Sequence, residues 1–296
     1  MKTLLKSNAT FGVLLVSAAV SMSVQGSEPG HHSKRQGASP LVDHVLIGSD
    51  RNSSENPFVQ PQDPALAGGG RDQSLQFGDV LLGRGIDLIN GRLGSDVIIA
   101  GAQNDVMIGG LEHFNPSNRD RVFGGRGADV FIWKPGDGSD LFQGGPGQDA
   151  IVFGLTGENV DGHPVFEVVA DQQAGELFID EGTGLPKVDV TNSPGFCEVI
   201  DRNTSVEAAE QLAALELDHL VQFSIRGVRN AFEAGEQAED NGLRVTLHLQ
   251  DVEVLVCTNR DGGLIEVIDL RSSPARSIQL RDLKRALRER LENMLI

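Results

Sequence analysis

Gly124-Gly125-Arg126-Gly127-Ala128-Asp129-Val130-Phe131-Ile132 and Gly144-Gly145-Pro146-Gly147-Gln148-Asp149-Ala150-Ile151-Val152 are two copies of one nine-residue pattern. Each opens on a glycine pair, returns to glycine at the fourth position, and places aspartate at the sixth and a large apolar residue at the eighth. Weaker copies surround them. Asp87, Asp96 and Asp105 are nine residues apart. Asp120 and Asp129, then Asp140 and Asp149, repeat that spacing after interruptions, which makes seven units between Gly83 and Phe153.

The pattern alternates a turn and a strand. Glycine tolerates positive φ and lets backbone approach an ion closely. Val130-Phe131-Ile132 favours an extended strand whose middle side chain points inward. Two units make one coil of a flattened solenoid, with strands alternating between two parallel sheets. Successive strands lie about 4.8 Å apart, so equivalent turns stack closely. Asp87 and Asp105, eighteen residues apart, are expected one above the other. Stacked carboxylates repel, and turn carbonyls point into the same gap. A hard cation that takes oxygen ligands at roughly 2.3–2.6 Å resolves both problems, and Ca²⁺ fits better than Mg²⁺, which demands a tight octahedron.

The G-G-x-G-x-D-x-U-x pattern resembles the calcium-binding nonapeptide of RTX (hemolysin-type) proteins, over about a quarter of the chain. The resemblance implies a parallel β-roll with Ca²⁺ as cofactor, held by Asp87, Asp96, Asp105, Asp120, Asp129, Asp137, Asp140 and Asp149. Turn glycines Gly125, Gly127, Gly136, Gly138, Gly145 and Gly147 complete the site. The units are uneven. Gln103 replaces a glycine before Asp105, Pro135 replaces one before Asp140, and the Asp120 unit (Asn115 to Asp120) keeps none. Roughly two to four occupied sites are expected, the best among Asp129, Asp140 and Asp149.

Around the array the chain changes character. Residues 1–26 carry a basic start, a short apolar run from Phe11 to Val20 and a small-residue exit, the features of a secretory signal peptide. This departs from many RTX proteins, which use a C-terminal signal. Residues 27–67 are polar and read as a flexible linker, with Leu41 to Ile47 as one short strand or cap. The roll is assigned to 68–154, with Gly110 to Asn118 as an insertion loop carrying His113 and Phe114.

Residues 155–296 read as an α+β domain of a family not recognised. Strands are expected over 165–169 and 176–180. A helix should start at a capping box of Thr204 and Glu207 and bury Val206, Ala209, Leu212, Ala213, Leu217 and Leu220. A three-strand antiparallel meander should follow from Leu243 to Leu270. A last helix, Ile278 to Leu295, carries Leu280, Leu283, Leu287, Leu291 and Met294 on one stripe and Arg281, Lys284, Arg285, Arg288 and Arg290 on a solvated face. Cys197 and Cys257 are an even pair, which in an oxidising compartment favours a disulfide over two free thiols.

Acidic residues outnumber basic ones by 42 to 25, a net charge of −17. Such a chain repels nucleic acid and anionic membrane. None of the seven histidines shows the H-E-x-x-H spacing, and no G-x-S-x-G elbow is present. The expectation is therefore a secreted, non-enzymatic calcium-binding scaffold or interaction module, with an extracellular protein or polysaccharide as partner class for 155–296. The alternative is an extracellular enzyme acting on a polymer, with the roll as stabiliser. A concave polar pocket with convergent carboxylates or histidines within 155–296 would favour the alternative.

Overall fold

The computed structural model describes residues 41–42, 44–47, 77–83, 85–92, 95–110, 119–166, 176–226 and 244–296. The leader, most of the linker, and the insertion with His113 and Phe114 lie outside the described residues. So do positions 167–169 and the turn at Asp240-Asn241-Gly242.

The fold is mostly β, with parallel strands and few helices, and is compatible with a β-roll. The repeat region forms β1 (His44–Ile47), β2 (Phe77–Leu82), β3 (Asp87–Arg92), β4 (Ser95–Ala102), β5 (Val106–Gly110), β6 (Arg121–Arg126), β7 (Val130–Trp133), β8 (Leu141–Gln143) and β9 (Ala150–Phe153). Short strands follow: β10 (Leu155–Thr156), β11 (Glu158–Val160), β12 (His163–Val165) and β13 (Val188–Asp189). Next come β14 (Gly195–Ile200), helix α1 (Val206–Ala214), β15 (His219–Ile225), β16 (Arg244–Gln250), β17 (Val254–Thr258), β18 (Ile265–Asp269) and β19 (Arg276–Ile278). A 3₁₀ turn at Leu280–Asp282 leads into helix α2 (Arg285–Met294).

Odd and even repeat strands separate. One sheet runs β1-β3-β5-β7-β9-β17-β18-β19 and the other β14-β15-β16-β8-β6-β4-β2. Every pairing from β1 to β17 in the first sheet, and from β2 to β16 in the second, is parallel. The chain thus alternates between sheets once per nonapeptide. The apolar residue at each unit's eighth position points between the sheets, where Ile89, Met107, Phe131 and Ile151 meet Ile98, Val122, Phe142, Phe223 and Leu249.

Side chains alternate along a strand, so the neighbours of these residues face outward. On the second sheet that face meets solvent, as at Arg121 beside buried Val122. On the first sheet it does not. Leu88, Val106, Val130, Val152 and Val254 pack with Leu283, Leu287, Leu291 and Met294 of the C-terminal segment. Helix α2 is therefore a third layer, and β7 and β9 are buried on both faces.

The C-terminal segment does not pair as the meander expected from its sequence. Strands β17 and β18 are antiparallel neighbours, but β16 and β17 lie in different sheets. Asp251-Val252-Glu253 carries the chain across, so that β16 pairs in parallel with β8 and β17 with β9. The reason is the open edge the repeats leave: β8 and β9 each present unpaired N–H and C=O groups, which a further coil satisfies. Both sheets consequently run through position 154, and 38–296 is one compact unit.

Smaller differences have local causes. Helix α1 is capped by Ser205, whose Oγ accepts the Ala208 N–H at 3.1 Å, and not by Thr204, whose hydroxyl is engaged with Asp201. The helix ends at Ala214 and buries only Ala208 and Leu212, leaving Val206 exposed. Arg290, expected on the solvated face of α2, is 4 % exposed. Cys197 and Cys257 form a disulfide between β14 and β17, one in each sheet. Among the described residues, no helix is long and apolar enough to cross a membrane.

Candidate metal centre

The repeat aspartates stand in two ladders. In the first, the Asp87 N–H donates to Asp105 Oδ1 at 2.8 Å, Asp105 to Asp129 Oδ1 at 2.8 Å, and Asp129 to Asp149 Oδ1 at 2.8 Å. In the second, Asp96 donates to Asp120 Oδ1 at 2.7 Å and Asp120 to Asp140 Oδ1 at 2.9 Å. Asp105, Asp120, Asp129, Asp140 and Asp149 thus each spend one oxygen holding the preceding coil. The whole set is fully buried, and Asp137 is 2 % exposed.

The second oxygen is the unusual one. Oδ2 of Asp105, Asp129, Asp140 and Asp149, and Oδ1 of Asp137, are buried without a hydrogen-bond donor. Leaving such an oxygen unsatisfied costs about 1–3 kcal/mol, more if it is charged. Burial accordingly raises these acids: Asp105 to about 7, Asp129 to about 6 and Asp149 to about 8. Asp137 and Asp140 are raised as well, by burial first and then by the neighbouring carboxylates, Asp140 acting on Asp137 and Asp120 on Asp140.

Glycine makes room for these oxygens. A Cβ on Gly124 would sit 2.6 Å from Asp129 Oδ2 and 2.8 Å from the Gly144 carbonyl oxygen of the next coil. On Gly91 it would meet Asp96 Oδ2 and the Gly109 oxygen, both at 2.3 Å. Carboxylate and carbonyl oxygens from stacked turns therefore converge on one crowded spot, the donor chemistry a hard cation requires. Among the described residues no three carboxylates or imidazoles gather to hold a metal by side chains alone. Turn carbonyls would have to supply the remaining ligands.

The turn glycines divide by role. Gly125, Gly127, Gly136 and Gly145 adopt positive φ, and a Cβ on Gly127 would strike the Gln103 carbonyl oxygen at 1.6 Å. Gly147 is packed as tightly, since a Cβ there would lie 1.6 Å from the Gly127 carbonyl oxygen, so these turns nest directly. The Gly138 carbonyl accepts the Trp133 indole N–H at 3.0 Å. In the same turn the Lys134 N–H donates to Asp137 Oδ2 at 3.1 Å.

Two features were not evident from the repeat spacing. The Asp120 unit has no glycine of its own, yet Asp120 takes its rung, because Gly109 from before the insertion stands in: a Cβ there would lie 2.1 Å from Asp120 Oδ2. The first ladder also has another rung. The Asp149 N–H donates to Glu253 Oε2 at 2.7 Å, across 104 residues. No nonapeptide search finds Glu253, since its unit is neither contiguous nor glycine-rich. The second ladder ends at Asp140, because the register places Leu247 opposite it.

A separate cleft of about 490 Å³ lies in the C-terminal half, lined by Asp201, Asp218, His219, Asp251, Glu253 and Arg271 among others. Asp201 is raised by burial but lowered overall by hydrogen bonds from Ser273, Asn203 and Thr204. Burial raises Glu253. Burial lowers His219, whose Nδ1 is buried without a partner.

The family model for the RTX calcium-binding nonapeptide repeat matches this chain in four copies, at residues 82–113, 117–132 and 136–155. No curated protein and no solved structure matches it. Residues 82–155 thus carry RTX calcium-binding nonapeptide repeats, and the cofactor of such repeats is Ca²⁺.

Proposed function

We propose that this is a secreted calcium-binding protein whose repeats wind as a β-roll that folds on Ca²⁺, serving as a rigid scaffold or interaction module and not as an enzyme. The carrying observation is the set of buried, donorless Oδ2 atoms on Asp105, Asp129, Asp140 and Asp149. With Asp87, Asp96, Asp120 and Asp137 these carboxylates are the side-chain ligands. The turns holding Gly125, Gly127, Gly136, Gly138, Gly145 and Gly147 bring the main-chain oxygens. Bound Ca²⁺ supplies the positive charge that the stacked acids lack. The protein's own contribution is to fix the rungs through the N–H to Oδ1 bonds and to exclude water around Oδ2. Metal binding and folding are then coupled, because a cation that binds only the folded form stabilises it by mass action.

Calcium titration followed by far-UV circular dichroism and calorimetry tests this, with Asp129→Ala/Asp149→Ala alongside. Added Ca²⁺ should raise β content and a chelator reverse it, with the double variant much weaker. An unchanged spectrum and no heat at millimolar Ca²⁺ would overturn the reading.

The cleft favours a second reading, an extracellular enzyme acting on a polymer. It brings Asp201, held ionised, near Glu253, held toward its protonated form, and such divergence is what acid–base work requires. Release of soluble fragments from extracellular polysaccharides by the wild type, and its loss in Asp201→Asn, would support it. No release from any polymer tried by the wild type would remove it.

A further inference from the structure

The final coil, β16–Asp251-Val252-Glu253–β17, repeats the geometry of the calcium-binding turns without their sequence. In the array, Gly124 sits where Asp129 Oδ2 and the Gly144 carbonyl oxygen converge. One coil on, Gly144 sits where Asp149 Oδ2 and the Asp251 carbonyl oxygen converge, with a Cβ 2.8 Å from the first and 2.3 Å from the second. The rungs match as well: Glu253 Oε2 accepts the Asp149 N–H at 2.7 Å, as Asp149 Oδ1 accepts that of Asp129 at 2.8 Å. The strand register is continuous, Gly144 N–H donating to the Gln250 oxygen at 3.0 Å.

The turn itself is differently made. The array passes from β8 to β9 through Gly144 to Asp149, whereas β16 reaches β17 through Asp251 to Glu253. Asp251 takes φ of 51°, the left-handed conformation that lets a short crossing turn sharply. Glutamate's extra methylene lets a side chain from this shorter turn reach the same rung. Asp149 Oδ2, fully buried and without a donor, points into the space between.

We propose that a further Ca²⁺ site lies where the last repeat turn meets Asp251–Glu253, formed by the Asp149 carboxylate, the Asp251 main-chain carbonyl and the Glu253 carboxylate. It rests on the calcium reading above and extends it to residues outside every repeat. The ion would fasten the segment 244–258 to the array, and its outer side faces the cleft, which Asp251 and Glu253 also line. Calcium would therefore set the shape of the cleft wall as well as the stability of the turns.

Calorimetric Ca²⁺ titration of the full chain compares the wild type with Glu253→Gln and Asp251→Asn. Gln keeps an oxygen to accept the Asp149 N–H, so the rung and the fold are retained; buried Trp133 fluorescence serves as the folding control. Glu253→Gln should bind one ion fewer, or bind one ion at least about tenfold more weakly, with the other sites unchanged. Asp251→Asn, whose contribution comes from the main chain, should keep the full number. An unchanged titration for Glu253→Gln overturns the proposal, and so does an equal loss in both variants, which would report only the acidity of the cleft. If the wild type itself takes up no Ca²⁺, the calcium reading of the repeats fails with it. Loss in Glu253→Gln alone carries the proposal.

Discussion

Cys197 in β14 and Cys257 in β17 are joined by a disulfide, with Cα atoms 6.2 Å apart, and so tie an edge strand of one sheet to an interior strand of the other. The bond closes a loop of 60 residues that contains α1, β15 and β16. By the chain-entropy account such a crosslink contributes roughly 4 kcal/mol. Cys197→Ser/Cys257→Ser should lower the denaturant midpoint by a corresponding amount at saturating calcium. Ca²⁺ stoichiometry should not change, since neither cysteine is a rung of the ladders. Equal midpoints for the two proteins would count against this assignment of stability.

The calcium-free protein should be least stable on the alkaline side. Burial puts Asp129 at about 6, Asp105 at about 7 and Asp149 at about 8, above the ordinary 3.8. The folded state therefore holds these protons more tightly than the unfolded chain. Their contribution is complete below the unfolded value and is lost as pH rises through roughly 6 to 8. Asp189, Asp201 and Asp269, lowered overall by hydrogen bonds or an ion pair, act oppositely and withdraw stability in strong acid. Melting temperatures in chelator should peak at mildly acidic pH and fall toward pH 8. Added Ca²⁺ should reverse that fall and release protons, measurable as a buffer-dependent heat of binding.

Two glycines with positive φ should respond differently to alanine. Gly127→Ala drives a methyl group onto the Gln103 carbonyl oxygen, which is main chain and cannot move aside. A loss of several kcal/mol is expected, in the upper range for single substitutions, about 4 or more. Gly162→Ala at φ of 80° meets nothing within 4 Å. It should cost only the left-handed strain, about 1–2 kcal/mol. Chemical denaturation of both variants in calcium gives the comparison, and similar losses would refute the nested-turn argument.

Arg290 brings a positive charge to the first ladder from outside the repeats. Its Nε and Nη1 are buried without hydrogen-bond partners, and it interacts electrostatically with Asp105 and Asp129. Arg290→Met should destabilise the calcium-free protein at pH 8, where those acids are ionised. At pH 5 they are protonated, and removing a buried cation whose Nε and Nη1 lack hydrogen-bond partners should be neutral or stabilising. Denaturation in chelator at both values tests this. An equal loss at pH 5 and pH 8 would mean that Arg290 acts by packing.

Local pattern reached far into this protein. The nonapeptide period alone dictates alternate strands, inward Phe131 and Ile151, stacked Asp87 and Asp105, and the calcium chemistry, because each follows from residues within two coils of one another. The even cysteine pair and the apolar stripe of Leu287, Leu291 and Met294 were also readable, although the last helix begins at Arg285 and not at Ile278, which lies in β19. Tertiary structure decided where those pieces go. Glu253 becomes a rung only because β16 and β17 add to the open edges at β8 and β9, and edge complementarity leaves no mark at fixed spacing. Gly109 serves Asp120 across an insertion for the same reason. Arg290 reads as a solvated charge until α2 lies on the first sheet and turns it toward Asp105. Short-range geometry is encoded in neighbouring residues, whereas the partners of a long-range contact are fixed only by which edge and which face remain to be covered.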